Sequence, residues 1–205
     1  MPAEQKAETI VYEVGAGLYI NITNRCPCNC TFCLRGAADG VKEGESLWLD
    51  HEPSLEEIEE ALSNVDFSKY EEVVFCGYGE PCERLDELVY AAKLIRERTA
   101  LPVRLNTNGL GDLINSKKTA PVLAQYINRV SISLNAPDKE TYNSICRPVF
   151  GGDAYNAMIQ FALDCKALMP EVNFTVVDVL SEEQLRQCRE LCGGLGIRLR
   201  VRKYV

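Results

Sequence analysis

A chain of 205 residues, 46% hydrophobic and 25% charged, reads as one soluble domain over residues 1–205, able to bury a core without disulfide staples. Its net charge of −8 gives little general attraction for nucleic acid or an anionic membrane, and no apolar run approaches the ~20 residues of a membrane span. The opening MPAEQKAETI has no basic stretch followed by an apolar one, so no secretory signal is expected and the protein is read as cytoplasmic.

Residues 1–17 read as a lead-in, and LYINIT (18–23) predicts the first strand. A cysteine-rich loop at 24–35 and a Gly-rich stretch over 36–53 follow. Ser54-Leu-Glu-Glu57 forms a capping box that opens a helix. VVFCG (73–77) is a second strand, and residues 84–99 carry helical spacing at Leu85, Leu88, Ala92 and Ile95. PVRLNTNG (102–109) and RVSISLNA (129–136) are the third and fourth strands, with Asp138 placed to cap a short helix. A longer helix over 153–169 stops at Pro170. VNFTVVDV (172–179) is a fifth strand, Ser181-Glu-Glu-Gln184 a second capping box whose helix ends near Gly193-Gly194, and IRLRVRKYV (197–205) a sixth strand.

Six β–α repeats predict a parallel, curled sheet, a partial (β/α)6 TIM-type barrel with its site at the strand C-terminal ends; a flat doubly wound sheet is the plain alternative. Alternation within the strands favours the curl. Tyr19, Asn21 and Thr23 share one face, as do Arg104, Asn106 and Asn108, then Ser131, Ser133 and Asn135, then Asn173 and Thr175, then Arg198, Arg200 and Arg202. Parallel strands covered on both faces read as apolar runs instead. A polar inner wall must be hydrogen-bonded or wet, which implies a cavity for a polar ligand. For the last strand, a solvated edge explains the pattern equally well.

The chain has ten cysteines, which in a reducing compartment do not suggest a disulfide framework. Four of them crowd into Cys26, Cys28, Cys30 and Cys33, directly after the first strand. Cys26, Cys30 and Cys33 have C-x3-C-x2-C spacing, with which three thiolates can hold three corners of an iron–sulfur cube. The fourth iron then stays open, as the metal does in a catalytic site. Cys28 permits another register, or a closed four-thiolate site for zinc.

This loop, with Asn-Arg-Cys-Pro around Cys26 and Phe32 ahead of Cys33, resembles the signature of the radical S-adenosylmethionine (radical SAM) superfamily. The resemblance implies a 4Fe–4S cluster on Cys26, Cys30 and Cys33, with S-adenosylmethionine chelated at the open iron. Gly77-Tyr78-Gly79-Glu80-Pro81 is similar to the family's Gly-Gly-Glu-Pro motif, and Asn106-Thr-Asn108-Gly109 to its Thr-Asn-Gly strand ending. Ser133 and Asn135 match the place where members contact ribose and carboxylate. The resemblance therefore makes Phe32, Gly77, Tyr78, Gly79, Glu80, Asn106, Asn108, Ser133 and Asn135 cofactor contacts. A closer likeness is to the small TatD-associated radical SAM proteins, through Leu-Tyr-x-Asn-x-Thr-Asn-Arg-Cys, Leu47-Trp-Leu…His-Glu-Pro53, Val-Arg-Leu-Asn-Thr-Asn-Gly and Ser-Ile-Ser-Leu-Asn-Ala. That likeness implies a functional link to a TatD-type hydrolase.

The implied reaction begins with one electron from a flavodoxin- or ferredoxin-like protein. The cofactor is cleaved to a 5′-deoxyadenosyl radical, which abstracts a hydrogen atom from a substrate, expected to be a small molecule. An activating enzyme that places a radical on a partner protein is the alternative within the class. A non-catalytic zinc or iron–sulfur module is the alternative outside it. Cys146 is a candidate hydrogen-atom donor, with a buried structural cysteine as the plain reading. Cys76 and Cys82 flank the Gly-rich turn without a supporting motif. Arg147, Arg200 and Arg202 are candidate anion-binding substrate residues or solvated surface charges. His51, the single histidine, reads as a structural hydrogen-bonder or an acid–base group.

Overall fold

The computed structural model describes residues 7–36 and 45–204. The chain enters as β1 (Ala7–Glu8) and β2 (Val11–Val14), turns, and returns as β3 (Gly17–Ile20), antiparallel to β2. The two-residue turn places Gly15 at φ +59, which a type II′ hairpin asks of its first central residue. Much of the expected lead-in is therefore a hairpin arm. Its sequence signal was the Gly-x step between two β-branched and aromatic runs.

Beyond the cysteine loop, β4 (Glu45–Ser46) pairs in parallel with β1. α1 (Leu55–Ser63) opens with both arms of the expected capping box: Glu57 N–H donates to Ser54 Oγ at 3.2 Å, and Ser54 N–H to Glu57 Oε2 at 2.7 Å. Such a cap contributes about 1 kcal/mol. Then come β5 (Glu72–Phe75), α2 (Leu85–Arg98), β6 (Val103–Thr107), α3 (Gly111–Asn115), α4 (Ala120–Leu123) and β7 (Arg129–Ser133). The chain finishes with α5 (Lys139–Cys146), α6 (Ala154–Leu168), β8 (Glu171–Val177), α7 (Glu182–Leu195) and β9 (Arg198–Arg202).

The main sheet runs β2-β3-β5-β6-β7-β8-β9 and is parallel except between β2 and β3. The six parallel strands form the expected curled sheet, and β2 and β9 lie at opposite ends of it, so the barrel is open. Ile20, Val73, Phe75, Val103, Leu105, Val130, Ile132, Phe174 and Val176 have no accessible surface and pack in one core with α1, α2 and α6. Burial of each such side chain stabilises the fold by about 1.5–3 kcal/mol.

The opposite set faces inward, in register across the sheet: Asn106, Ser131, Asn173 and Arg198 form one rung, and Ser133, Thr175 and Arg200 the next. At the strand N-terminal ends this wall is closed by charge. Arg104 pairs with Glu72 at 2.7 Å and Arg129 with Glu171 at 3.0 Å, so these inner cations are neutralised. Beside β3, Tyr12, Leu47 and Tyr78 make a smaller apolar cluster with Tyr19.

Several expected boundaries move. The β3 ladder ends at Ile20, where Asn21 turns its N–H to Ile10 O at 2.8 Å. α7 runs through Gly193 and Gly194, which sit in open space, and stops at Gly196, whose φ of +60 lets its N–H reach Cys192 O and Gly193 O. α3 and α4 were not anticipated; each is too short to show a helical period. Of the Gly-rich stretch over 36–53, residues 37–44 lie outside the described residues.

Candidate active site

The cysteine loop leaves the C-terminal end of β3 and is held from three sides. Asn24 pairs with Leu49 in both directions, its Nδ2 donating to Leu49 O at 2.6 Å and its Oδ1 accepting from Leu49 N at 3.1 Å. On the far side, Asn29 N–H donates to Cys146 O at 3.0 Å and Thr31 N–H to Ile145 O at 2.9 Å. Val149 N–H closes the edge on Pro27 O at 2.9 Å. The loop is thus strapped to the C-terminus of α5.

The third support is the glycine motif after β5. A Cβ on Gly79 would lie 2.3 Å from Thr23 O, and one on Gly77 would lie 2.0 Å from Asn21 Oδ1. Only hydrogen fits at either position, which accounts for Gly-x-Gly here. Tyr78, between them, turns its ring to the edge of Trp48 at 5.1 Å, and Arg35 lies over the Trp48 ring at 5.7 Å. Glu80 follows, with its N–H donating to Arg25 O at 2.7 Å.

Glu80, expected as a cofactor contact, has its carboxylate engaged within the fold. Its side chain is buried and accepts from Cys82 N at 3.1 Å, Thr107 Oγ1 at 2.7 Å and Asn108 N at 2.6 Å. It therefore braces the end of β6 against the glycine motif. Burial pushes its carboxyl above the usual range, and the three donors offset this only in part.

The brace carries Asn108 to the thiols: its Nδ2 lies 3.9 Å from both Cys26 Sγ and Cys28 Sγ. Cys30 Sγ lies 3.7 Å from Cys146 O. The Cys146 thiol pulls Cys30 down to about 4, aided by Cys28, and hydrogen bonding from Cys28 lowers Cys26. Cys28 and Cys146 are pushed upward by the same neighbours. Cys33 and Phe32 are half-buried in the same loop.

Asn135 closes the far side. Its backbone is left-handed at φ +58, its Nδ2 donates to Cys146 Sγ at 3.6 Å, and its Oδ1 is buried with no partner. A buried acceptor left unmatched costs about 1–3 kcal/mol until a donor reaches it. The Cys26, Cys28 and Cys30 thiols, the Asn108 amide and an unmatched acceptor stand together at the strand C-terminal ends, with Cys33 three residues on in the same loop. Among the described residues no group of three such side chains is close enough to hold a single metal ion, but the donor chemistry of three loop thiols suits the corners of an iron–sulfur cube.

Other expected residues lie differently. Asn106 faces inward and accepts from Arg104 Nη1 at 2.7 Å, and Ser133 is half-buried on the inner wall. Cys146 is 1% exposed and faces the loop thiols. Arg147 is exposed and caps α5 in the left-handed conformation, with its Nε donating to Ser144 O at 3.3 Å. Arg200 and Arg202 are exposed on edge strand β9. Cys76 is half-buried, whereas Cys82 is fully buried beside Gly111. His51 meets Glu57 at 2.9 Å, at the start of α1. Sequence reading missed Tyr142, buried in the core with its ring 5.5 Å from that of Tyr155, and Arg84, whose Nη1 holds Ile22 O and Pro53 O.

A surface hollow of about 420 Å³ lies at the other end of the sheet, against Pro102, Asn128, Arg129 and Glu171. It sits away from the thiols, at the strand N-terminal ends. Among the described residues, no helix is long and apolar enough to cross a membrane.

Residues 20–192 match the model of the radical SAM superfamily. The chain is 28% identical over 194 residues to a GTP 3′,8-cyclase of Corynebacterium glutamicum, covering 91% of this chain and 48% of that protein. It is 27% identical over 184 residues to a probable dual-specificity RNA methyltransferase RlmN of Exiguobacterium sibiricum, covering 82% and 45%. Streptococcus suis SuiB bound to S-adenosylmethionine shares the fold, with a TM-score of 0.64 at 22% identity over 91% of this chain and 38% of that one. The chain spans less than half the length of these relatives. With the cysteine loop, the glycine motif and the curled sheet in place, the chain belongs to the radical SAM superfamily.

Proposed function

We propose that Cys26, Cys30 and Cys33 hold a 4Fe–4S cluster, that S-adenosylmethionine binds at the iron they leave open, and that a small polar substrate lies on the inner wall. When bound and reduced by one electron, these groups supply a 5′-deoxyadenosyl radical that takes a hydrogen atom from the substrate. The observation that carries the reading is the unmatched Asn135 Oδ1, buried across from the thiol loop. It supplies an acceptor where the cofactor's donors would lie.

The protein's own part is positioning and exclusion of water. Asn108 donates toward the sulfurs of Cys26 and Cys28, and Asn135 toward that of Cys146. Such donors hold the sulfurs' negative charge in a half-buried site. Gly77 and Gly79 let the backbone approach, Tyr78 and Phe32 add apolar cover, and Ser133 joins Asn135 on the cofactor side. Ser131, Asn173 and Thr175 offer the substrate hydrogen bonds. Cys146, 1% exposed and enclosed behind the loop, reads as a structural cysteine and not as a hydrogen-atom donor to substrate.

The electron comes from a flavodoxin- or ferredoxin-like protein. Membership of the TatD-associated group, with its functional link to a TatD-type hydrolase, is supported by the contact between two of its motif stretches. Asn21 Nδ2 donates to Leu47 O at 2.8 Å, Asn24 pairs with Leu49, and Arg25 pairs with Glu52.

The test is anaerobic reconstitution with iron and sulfide, reduction by dithionite, and chromatographic assay. Methionine and 5′-deoxyadenosine appearing together support the reading. A reduced, iron-loaded protein that leaves S-adenosylmethionine intact overturns it.

A further inference from the structure

In a chain of net charge −8, β9 and the residue after it read Arg198-Leu-Arg200-Val-Arg202-Lys203, without an acidic residue. Alternation puts the three arginines on one face, and register identifies it: Arg198 lies beside Asn173 and Arg200 beside Thr175. Arg198 and Arg200 therefore end the two polar rungs of the inner wall, at the open edge of the sheet, with Arg202 beside Val177 beyond them.

The inner wall treats its cations unequally. Arg104 and Arg129, at the strand N-terminal ends, are each neutralised by a carboxylate. Arg198, Arg200 and Arg202 have no side-chain hydrogen bond or ion pair among the described residues. The nearest acids are committed: Glu171 to Arg129 at 3.0 Å, and Asp178 Oδ1 to Tyr204 N at 2.6 Å. Asp178 sits by Arg202, because its N–H donates to Arg202 O, and so lessens the positive field there. Arg198 and Arg200 keep theirs.

We propose that Arg198 and Arg200 form an anion subsite that takes the phosphate of a phosphorylated small-molecule substrate, with the reacting portion farther in against Ser133 and Thr175. The inference rests on the function proposed above, since it takes the inner wall for the substrate surface. Two strand spacings, about 10 Å, separate Ser133 from Arg200, which matches the length of a nucleotide-sized molecule. Phosphate is favoured over carboxylate by donor count. One guanidinium fork satisfies a carboxylate's two oxygens, whereas two forks on backbone positions about 6.7 Å apart suit the larger oxygen set of a phosphate or pyrophosphate.

The probe is inorganic pyrophosphate, titrated calorimetrically into the anaerobically reconstituted full chain, with citrate as the carboxylate comparison. The expected result is saturable pyrophosphate binding that weakens at least tenfold, about 1.4 kcal/mol, in Arg198→Ala and in Arg200→Ala. Lys203→Ala should bind as the parent does, and citrate at least tenfold more weakly. Circular dichroism and iron content of each variant establish that it is folded and loaded. Absent binding, equal binding by both arginine variants, equal weakening by Lys203→Ala, or citrate binding as tightly each overturns the subsite. Cofactor cleavage by the parent protein is assayed in parallel. Cleavage without pyrophosphate binding removes the subsite and leaves the function; binding without cleavage does the reverse.

Discussion

Arg25 and Glu52, 27 residues apart in sequence, meet in a two-pronged pair, Nε to Oε1 at 2.7 Å and Nη2 to Oε2 at 3.0 Å. The same carboxylate accepts from Thr23 Oγ1 and lies 3.7 Å from the buried Arg84 guanidinium. One residue thereby ties the start of the cysteine loop to the segment leading into α1.

Glu52→Ala is expected to destabilise the protein by about 1–2 kcal/mol, the exposed Arg25 pair contributing less than about 1 and the buried Arg84 the rest. For a chain of this size that lowers the thermal midpoint by several degrees. Burial raises the Glu52 carboxyl, but Arg25, Thr23 and Arg84 together hold it below the usual range. Its contribution is therefore present above the ordinary glutamate pKa and lost as pH falls through the depressed one. Denaturation curves of the parent and of Glu52→Gln should converge in acid; a gap that widens there contradicts the assignment.

Glu80→Gln keeps the shape of the brace but sets an NH2 donor against one of three donors. It should cost about 1–3 kcal/mol, measured by chemical denaturation. Because burial raises the Glu80 carboxyl, the folded state binds this proton more tightly than the unfolded one. Stability then falls as pH rises from the ordinary glutamate pKa to the raised one, and Glu80→Gln should flatten that slope. An unchanged slope would place the dependence elsewhere.

The polar inner wall was legible because a period of two is written locally: Asn106 beside Leu105 and Ser131 beside Ile132 state which face each strand presents. The capping boxes at Ser54 and Ser181 were legible for the same reason, their partners being three residues away. What escaped depends on contacts between distant residues. Glu80 finds its donors 25 or more residues on, at Thr107 and Asn108, and Cys30 meets Cys146 across 116 residues. The cysteine spacing announced a cluster loop, but only the fold shows Asn108 reaching Cys26 and Cys28 and Asn135 reaching Cys146. It also shows Arg198, Arg200 and Arg202 as inner-face cations with no side-chain partner among the described residues, and Arg147 as a helix cap.

Asn135 separates backbone from side chain. Asn135→Gly keeps the left-handed turn and removes the amide, whereas Asn135→Ala removes the amide and strains the turn by about 1–2 kcal/mol. Both should retain iron and lose S-adenosylmethionine affinity by tenfold or more in equilibrium dialysis, with only the alanine variant less stable. Undiminished affinity in Asn135→Gly would show that the unmatched oxygen serves no ligand.

His51→Ala removes the Nε2 contact to Glu57 at the head of α1 and should leave cofactor cleavage unchanged. A bell-shaped pH profile that loses one limb in this variant would instead identify His51 as an acid–base group.

The most direct measurement is iron and acid-labile sulfide per chain in Cys26→Ala, Cys28→Ala, Cys30→Ala and Cys33→Ala, with electron paramagnetic resonance of the reduced protein before and after S-adenosylmethionine is added. The account predicts a full cluster in Cys28→Ala, with a spectrum that still shifts on cofactor addition, and loss of both in the other three. A cluster lost with Cys28 but retained without Cys26, or bound zinc in place of iron, would contradict it.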